Sequence, residues 1–345
     1  MRLTAFFHPL ATLASVTMLA ALTLAGCGGT TPARPDAGTQ PALSSSAPPV
    51  RIGIALGGGA AKGFAHIGVI KMLEANGFAP AVVSGTSAGS VVGALYASGM
   101  NAFEMQEKAV ALDEAKIRDL QLSSGGLVLG QKLEDDVNEQ VRRKPLEQMA
   151  KPFVVVATRL EDGERTVFAR GNTGQAVRAS SSVPGVFQPV TIGKYHFVDG
   201  GIVSPVPVDA ARQLGADIVI AVDISNKARG QTPGDMLGTL GQSIAIMGQK
   251  LGQAELARAD VIVRPQVLDI GAADFSQRAN ANLEGEKAAL AVMPQIRERV
   301  AQLQAERANA ARAAQQKAAE AQYQTCLEKR SSLQKLAGMA RLDDS

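Results

Sequence analysis

Two kinds of apolar spacing divide this chain. Short runs such as Val50-Arg51-Ile52-Gly53-Ile54-Ala55-Leu56, Ala81-Val82-Val83-Ser84, Phe153 to Ala157, Tyr195 to Val198 and Ile218 to Val222 have strand character. Elsewhere apolar residues return at helical spacing. Phe64, Ile67, Ile70 and Leu73 recur every third position up to Asn76-Gly77, and Val91, Val92, Leu95 and Tyr96 lead to Gly99, so each set predicts a helix with a glycine stop. Further helices are expected over 102–118, 130–143 and 234–258. The alternation predicts an α/β fold: a mainly parallel central sheet, helices on both faces, and reactive loops at the carboxyl ends of the strands.

From about residue 278 the pattern is helical to the end, and 305–321 is mostly Ala with Gln, Arg, Lys and Glu. A heptad frame through Ile296, Val300 and Leu303 then meets Arg307, Lys317 and Gln324, so no coiled-coil seam is sustained. The expected form is a long solvated helical tail, docked at its start and frayed at its end. A homo-oligomer contact through this tail is the lesser expectation.

The amino terminus follows neither pattern. Residues 1–26 carry one charge, Arg2, and an apolar run through Leu10, Leu13, Val16, Leu19 and Leu22, which reads as an export signal. Leu24-Ala25-Gly26-Cys27 resembles the lipobox of bacterial lipoproteins, in which cleavage leaves Cys27 as the lipid-carrying terminus. Residue 28 is Gly, which favours outer over inner membrane sorting, so the expected location is the bacterial cell envelope. Residues 27–49, with Pro32, Pro35, Pro41, Pro48, Pro49 and Ser44 to Ser46, are too polar to build a core and read as a tether reaching roughly 25 Å. The expected divisions are therefore 1–26 signal peptide, 27–49 tether, 50–277 folded domain and 278–345 helical extension.

Composition then removes function classes. The balance of 35 Lys and Arg against 32 Asp and Glu is too even for a nucleic-acid binder. Two cysteines cannot build a disulfide framework, and Cys326 reads as an inert thiol.

Three glycine-punctuated sites carry the candidate chemistry. Gly57 to Gly63 sits at a strand-to-helix turn, where outward backbone N–H groups at a helix start suit an anion or oxyanion. A dinucleotide fingerprint fits poorly, because Gly58, Ala60 and Gly63 put Ala at its second glycine. Gly85-Thr86-Ser87-Ala88-Gly89 matches the G-x-S-x-G nucleophile elbow between strand and helix, which makes Ser87 the candidate nucleophile; the bland alternative is a serine helix cap. Asp199-Gly200-Gly201 ends a strand and can bring a carboxylate close to another loop; the alternative is an Asx turn.

The histidines constrain the mechanism. His8 leaves with the signal, so His66 and His196 remain. His66 falls in the helix after the glycine turn and reads as a structural imidazole. His196 is three residues from Asp199 on a strand, so the two should face opposite ways. A Ser-His-Asp triad is disfavoured.

Together the three sites resemble the patatin-like phospholipase family, over about residues 50–275. The resemblance implies a three-layer α/β/α fold and a Ser-Asp dyad, Ser87 with Asp199. It also implies an oxyanion loop at Gly58, Gly59 and Ala60, supported by Lys62, Gly63, Gly85, Gly89, Gly200 and Gly201. The segment Ala179 to Phe187 resembles the stretch that the family carries between serine and aspartate, Ala60 replaces a glycine of the plainest oxyanion motif, and Ser204 stands where related sequences often show Asn. Ala259 to Pro265 resembles the esterase domain of the neuropathy-target-esterase group. The implied activity is hydrolysis of lipid acyl esters without metal or cofactor, on a protein held to a membrane through Cys27. The rival from another class is a catalytically silent envelope lipoprotein acting as a scaffold.

Overall fold

The computed structural model describes residues 48–111, 128–225, 227 and 234–340. The signal segment, Cys27, the tether up to residue 47, positions 112–118 of one expected helix and residues 341–345 lie outside the described residues.

The strand-type runs form an eight-stranded sheet: β1 (Ile52–Leu56), β2 (Val82–Thr86), β3 (Phe153–Arg159), β4 (Arg165–Phe168), β5 (Val190–Ile192), β6 (Tyr195–Asp199), β7 (Ile218–Val222) and β8 (Val261–Val263). The helices are α1 (Phe64–Ala75), α2 (Ala88–Ala97), α3 (Ala102–Val110), α4 (Gln131–Gln140), α5 (Thr173–Ser180), α6 (Val208–Gln213), α7 (Met236–Leu256) and α8 (Arg278–Ala340). Strands β3, β2, β1, β7 and β8 lie parallel in that order. β1 and β7 are buried on both faces, as central parallel strands must be.

The faces differ in side-chain size. Ile52, Ile54, Leu56, Ile218 and Ile220 pack with α1 residues such as Ile70 and Leu73 and with Met293 and Ile296 of α8. Ala55, Val219 and Ala221 pack on the other face with Val208 and Ala211 of α6 and Leu256 of α7. The result is the expected α/β/α sandwich. Gly68 and Gly285 let α1 and α8 touch through their backbones: a Cβ at either would stand 2.0 Å from a carbonyl oxygen of the opposite helix. The compact unit runs from Pro48 to Gln304 and so takes in the first part of α8. Described by itself, the stretch 305–340 is helical.

The edge of β3 departs from the parallel plan. Val155 to Thr158 pair with β4 antiparallel along one edge. Along the other, Phe153 to Val156 pair with β2 in parallel and Ala157 to Arg159 pair with β6 antiparallel. β2 and β6 therefore run toward each other, and their carboxyl ends meet beside Val156 and Ala157. Ser87 follows one end and Asp199 is the other.

Candidate active site

Ser87 occupies the sharp turn between β2 and α2 with φ +52° and ψ −123°, a left-handed backbone that costs a non-glycine residue about 1–3 kcal/mol. A serine at a helix start ordinarily folds its hydroxyl back onto a helix N–H. Here no such bond forms, and the hydroxyl lies beside the Asp199 carboxyl, near enough to pull its pKa down. The Ser87 N–H donates to Ser180 Oγ at 2.8 Å, and the Ser180 hydroxyl donates to the Val156 carbonyl at 2.5 Å.

The glycines of the elbow are there for space. A Cβ on Gly89 would stand 2.1 Å from the Leu56 carbonyl oxygen, and one on Gly85 would stand 2.5 Å from that of Gly89. α2 can thus start directly against the end of β1.

Asp199 ends β6 and is buried. Its Oδ1 accepts the Gly201 N–H at 2.6 Å, and Gly200 packs so closely on Val156 that a Cβ would stand 2.2 Å from its carbonyl oxygen. Burial pushes the Asp199 carboxyl up from 3.8 to about 6, against the opposing pull of the hydrogen bonds from Ser87 and Gly201. A carboxyl at about 6 is a stronger base than an exposed aspartate yet still ionised at neutral pH.

The glycine-rich loop passes beside the serine, where a Cβ on Gly58 would stand 3.3 Å from Ser87 Cβ. One sequence expectation changes here. The Gly58 N–H donates to the Pro205 carbonyl at 3.0 Å, because the segment 204–207 runs against the end of β1, so this N–H is committed and Gly58 serves through its small size. Gly59 and Ala60 have no recorded acceptor for their N–H groups among the described residues. Ala60 holds φ +54°, a conformation that glycine takes freely and that costs an alanine, at the position where the resemblance leads one to expect glycine. Lys62 is buried, and Gly63 lies where a Cβ would meet that of Ala88 at 2.9 Å.

His66 is fully buried in α1. Its Nε2 donates to the Gly57 carbonyl at 2.8 Å, and burial pushes the imidazole down to about 4, so the ring is neutral. The Gly57–Gly58 peptide is thus held at both ends, by His66 at its oxygen and by Pro205 at its N–H. His196 is exposed and its Nδ1 bonds Glu161 Oε1 at 2.8 Å. It faces away from Asp199, as their odd spacing requires.

Ser180 and Glu255 carried no plain sequence signal. Ser180 was one of three consecutive serines, with nothing to single it out. Thr86 Oγ1 donates to the Ser204 carbonyl at 2.8 Å, while the Ser204 hydroxyl donates to Glu255 on α7. Glu255 also accepts the Val206 N–H at 2.8 Å and is pushed up to about 7 by burial, with those two hydrogen bonds opposing. These bonds clamp the segment that takes up the Gly58 N–H.

Known proteins are similar to about half of this chain. An NTE family protein of Mycobacterium tuberculosis is 35% identical over 188 residues, which cover 54% of this chain and 52% of that protein. Patatin-like phospholipase domain-containing protein 6 of Homo sapiens is 32% identical over 184 residues, 51% of this chain and 13% of its own length. Lysophospholipase NTE1 of Pyricularia oryzae is 30% identical over 181 residues, 51% of this chain and 12% of its own. The match thus spans about half of the mycobacterial relative and a far smaller share of the other two. Residues 54–212 match the family model described as patatin-like phospholipase, a stretch that takes in the glycine-rich loop, Ser87 and Asp199, and over it this chain is similar to that family.

Proposed function

We propose that this chain is a serine hydrolase of lipid carboxylic esters, of phospholipase or lysophospholipase type, working with the dyad of Ser87 and Asp199. One observation carries the proposal: a serine strained out of its capping geometry stands beside a buried carboxyl raised to about 6. Ser87 Oγ attacks the ester carbonyl while its proton passes to Asp199. The N–H groups of Gly59 and Ala60 hold the developing oxyanion at the start of the helical turn. Collapse of the tetrahedral intermediate breaks the bond to the alcohol, which leaves with the proton from Asp199. Water then attacks the acyl-serine while Asp199 takes its proton, and as the acid departs Asp199 returns that proton to Ser87 Oγ.

The lipid class follows the names of the relatives and the family. Attachment to the cell envelope through a lipid on Cys27 belongs to the same proposal and rests on the sequence signal alone. The deciding experiment is labelling by a serine-reactive fluorophosphonate, with wild type labelled and Ser87→Ala unlabelled. A wild type that neither labels nor hydrolyses lysophospholipid would leave the silent scaffold in its place.

A further inference from the structure

α7 is amphipathic the wrong way round for a helix whose job is packing. It lies on the catalytic turn through its small residues: a Cβ on Gly248 would stand 3.8 Å from the Gly201 carbonyl oxygen, and one on Gly252 3.4 Å from Pro205 Cγ. Five of its large apolar residues turn outward. Met236, Leu240, Met247 and Leu251 fall on one stripe at spacings of four, seven and four, with Ile246 on its flank, and they are 83%, 41%, 50%, 40% and 47% exposed, respectively. Within Met236–Leu256 the charged residues are Lys250, which is exposed, and Glu255, which is buried under the helix. No carboxylate interrupts the outward face.

The geometry points to this stripe as the surface that seats the domain on a phospholipid bilayer, with the helix lying in the interface and its apolar side chains entering the acyl boundary. The choice of a bilayer rests on the lipid-ester function proposed above. Two observations favour it over a second protein. The five side chains expose about 500 Å², short of the roughly 800 Å² that each partner of a stable protein interface buries. Lys250 sits where it would meet lipid phosphate, and the inner side of the same helix touches the turn after Asp199, so a bilayer on the stripe lies next to the catalytic dyad.

The chain has no tryptophan, so a single introduced one reports its own surroundings. The test uses the full chain with Ser87→Ala and Met247→Trp, mixed with vesicles of phosphatidylethanolamine and phosphatidylglycerol. Met236→Trp, at the most exposed position of the stripe, serves if Met247→Trp folds poorly. Leu290→Trp, exposed on α8 in the opposite layer of the sandwich, is the comparison. The expected result is a shift of emission to shorter wavelength on the stripe and none at Leu290. No shift on the stripe, or equal shifts at both positions, overturns the inference. A shift that grows with protein concentration in the absence of vesicles overturns it in favour of a second copy. Because hydrolysis is abolished in these variants, the outcome is separate from fluorophosphonate labelling of the wild type, on which the proposed function stands or falls.

Discussion

Replacing Asp199 with Asn removes a buried charge while leaving its shape in place, and the structure sets the size of the effect. Burial raises the carboxyl from 3.8 to about 6 in the fold, and the side chain is 7% exposed, so solvent screens it little. An acid raised by about two units is costly to ionise, by about 3 kcal/mol at 1.36 kcal/mol per unit. The folded state holds its proton up to about pH 6 while the unfolded chain releases it near 3.8. Stability is thus lost as pH rises through that window and stays lost above it. The amide bears no charge and keeps an oxygen for the Gly201 N–H, so Asp199→Asn should be more stable than wild type by up to about 3 kcal/mol at pH 8. For a domain of this size that is a rise in Tm of roughly 6 °C or more. At pH 4.5, where the folded protein holds the proton but the unfolded chain has mostly released it, the gap should shrink to about 1 kcal/mol. Activity should vanish at every pH, since the amide accepts no proton. Wild-type kcat/KM should fall as pH drops through about 6. Thermal melts by circular dichroism at both pH values, beside an ester assay, measure all of this. A variant no more stable than wild type at pH 8, or a gap as wide at pH 4.5 as at pH 8, refutes the reasoning.

Other substitutions test separate parts of the site. His196→Gln should keep activity within about tenfold, because the imidazole bonds Glu161 on the surface; a folded variant without turnover would restore histidine as the general base. Gly89→Ala should cost about 3 kcal/mol or more and lower the yield of folded protein, since its Cβ would overlap the Leu56 carbonyl; a normal melting temperature would show that α2 can withdraw from β1. Cys27→Ser should remove the protein from the outer-membrane fraction, and unchanged fractionation would exclude a lipid on Cys27 as the anchor.

The sequence by itself determined the sandwich and singled out the two candidate reactive residues. Unbroken apolar runs at β1, β3 and β7 can only be buried strands, and the helical repeats between them need a sheet to cover, so the α/β architecture was legible from spacing. Ser87 and Asp199 were legible because glycines flank them where side chains would collide with backbone, a requirement that shows as composition. The expected parallel plan did not reveal how Asp199 reaches the serine. β6 runs opposite to β2 along the same edge of β3, and no local pattern in Tyr195 to Asp199 encodes strand direction. Nor could spacing show that the Gly58 N–H would be taken by Pro205, almost 150 positions away, leaving Gly59 and Ala60 as the candidate donors. Hydrogen-bond partners distant in sequence are chosen by the packing of whole elements. Ser180 and Glu255 acquire their places for that reason, and so does the outward apolar face of α7, since the repeat that reveals an amphipathic helix is the same whether its apolar side meets the core or the solvent.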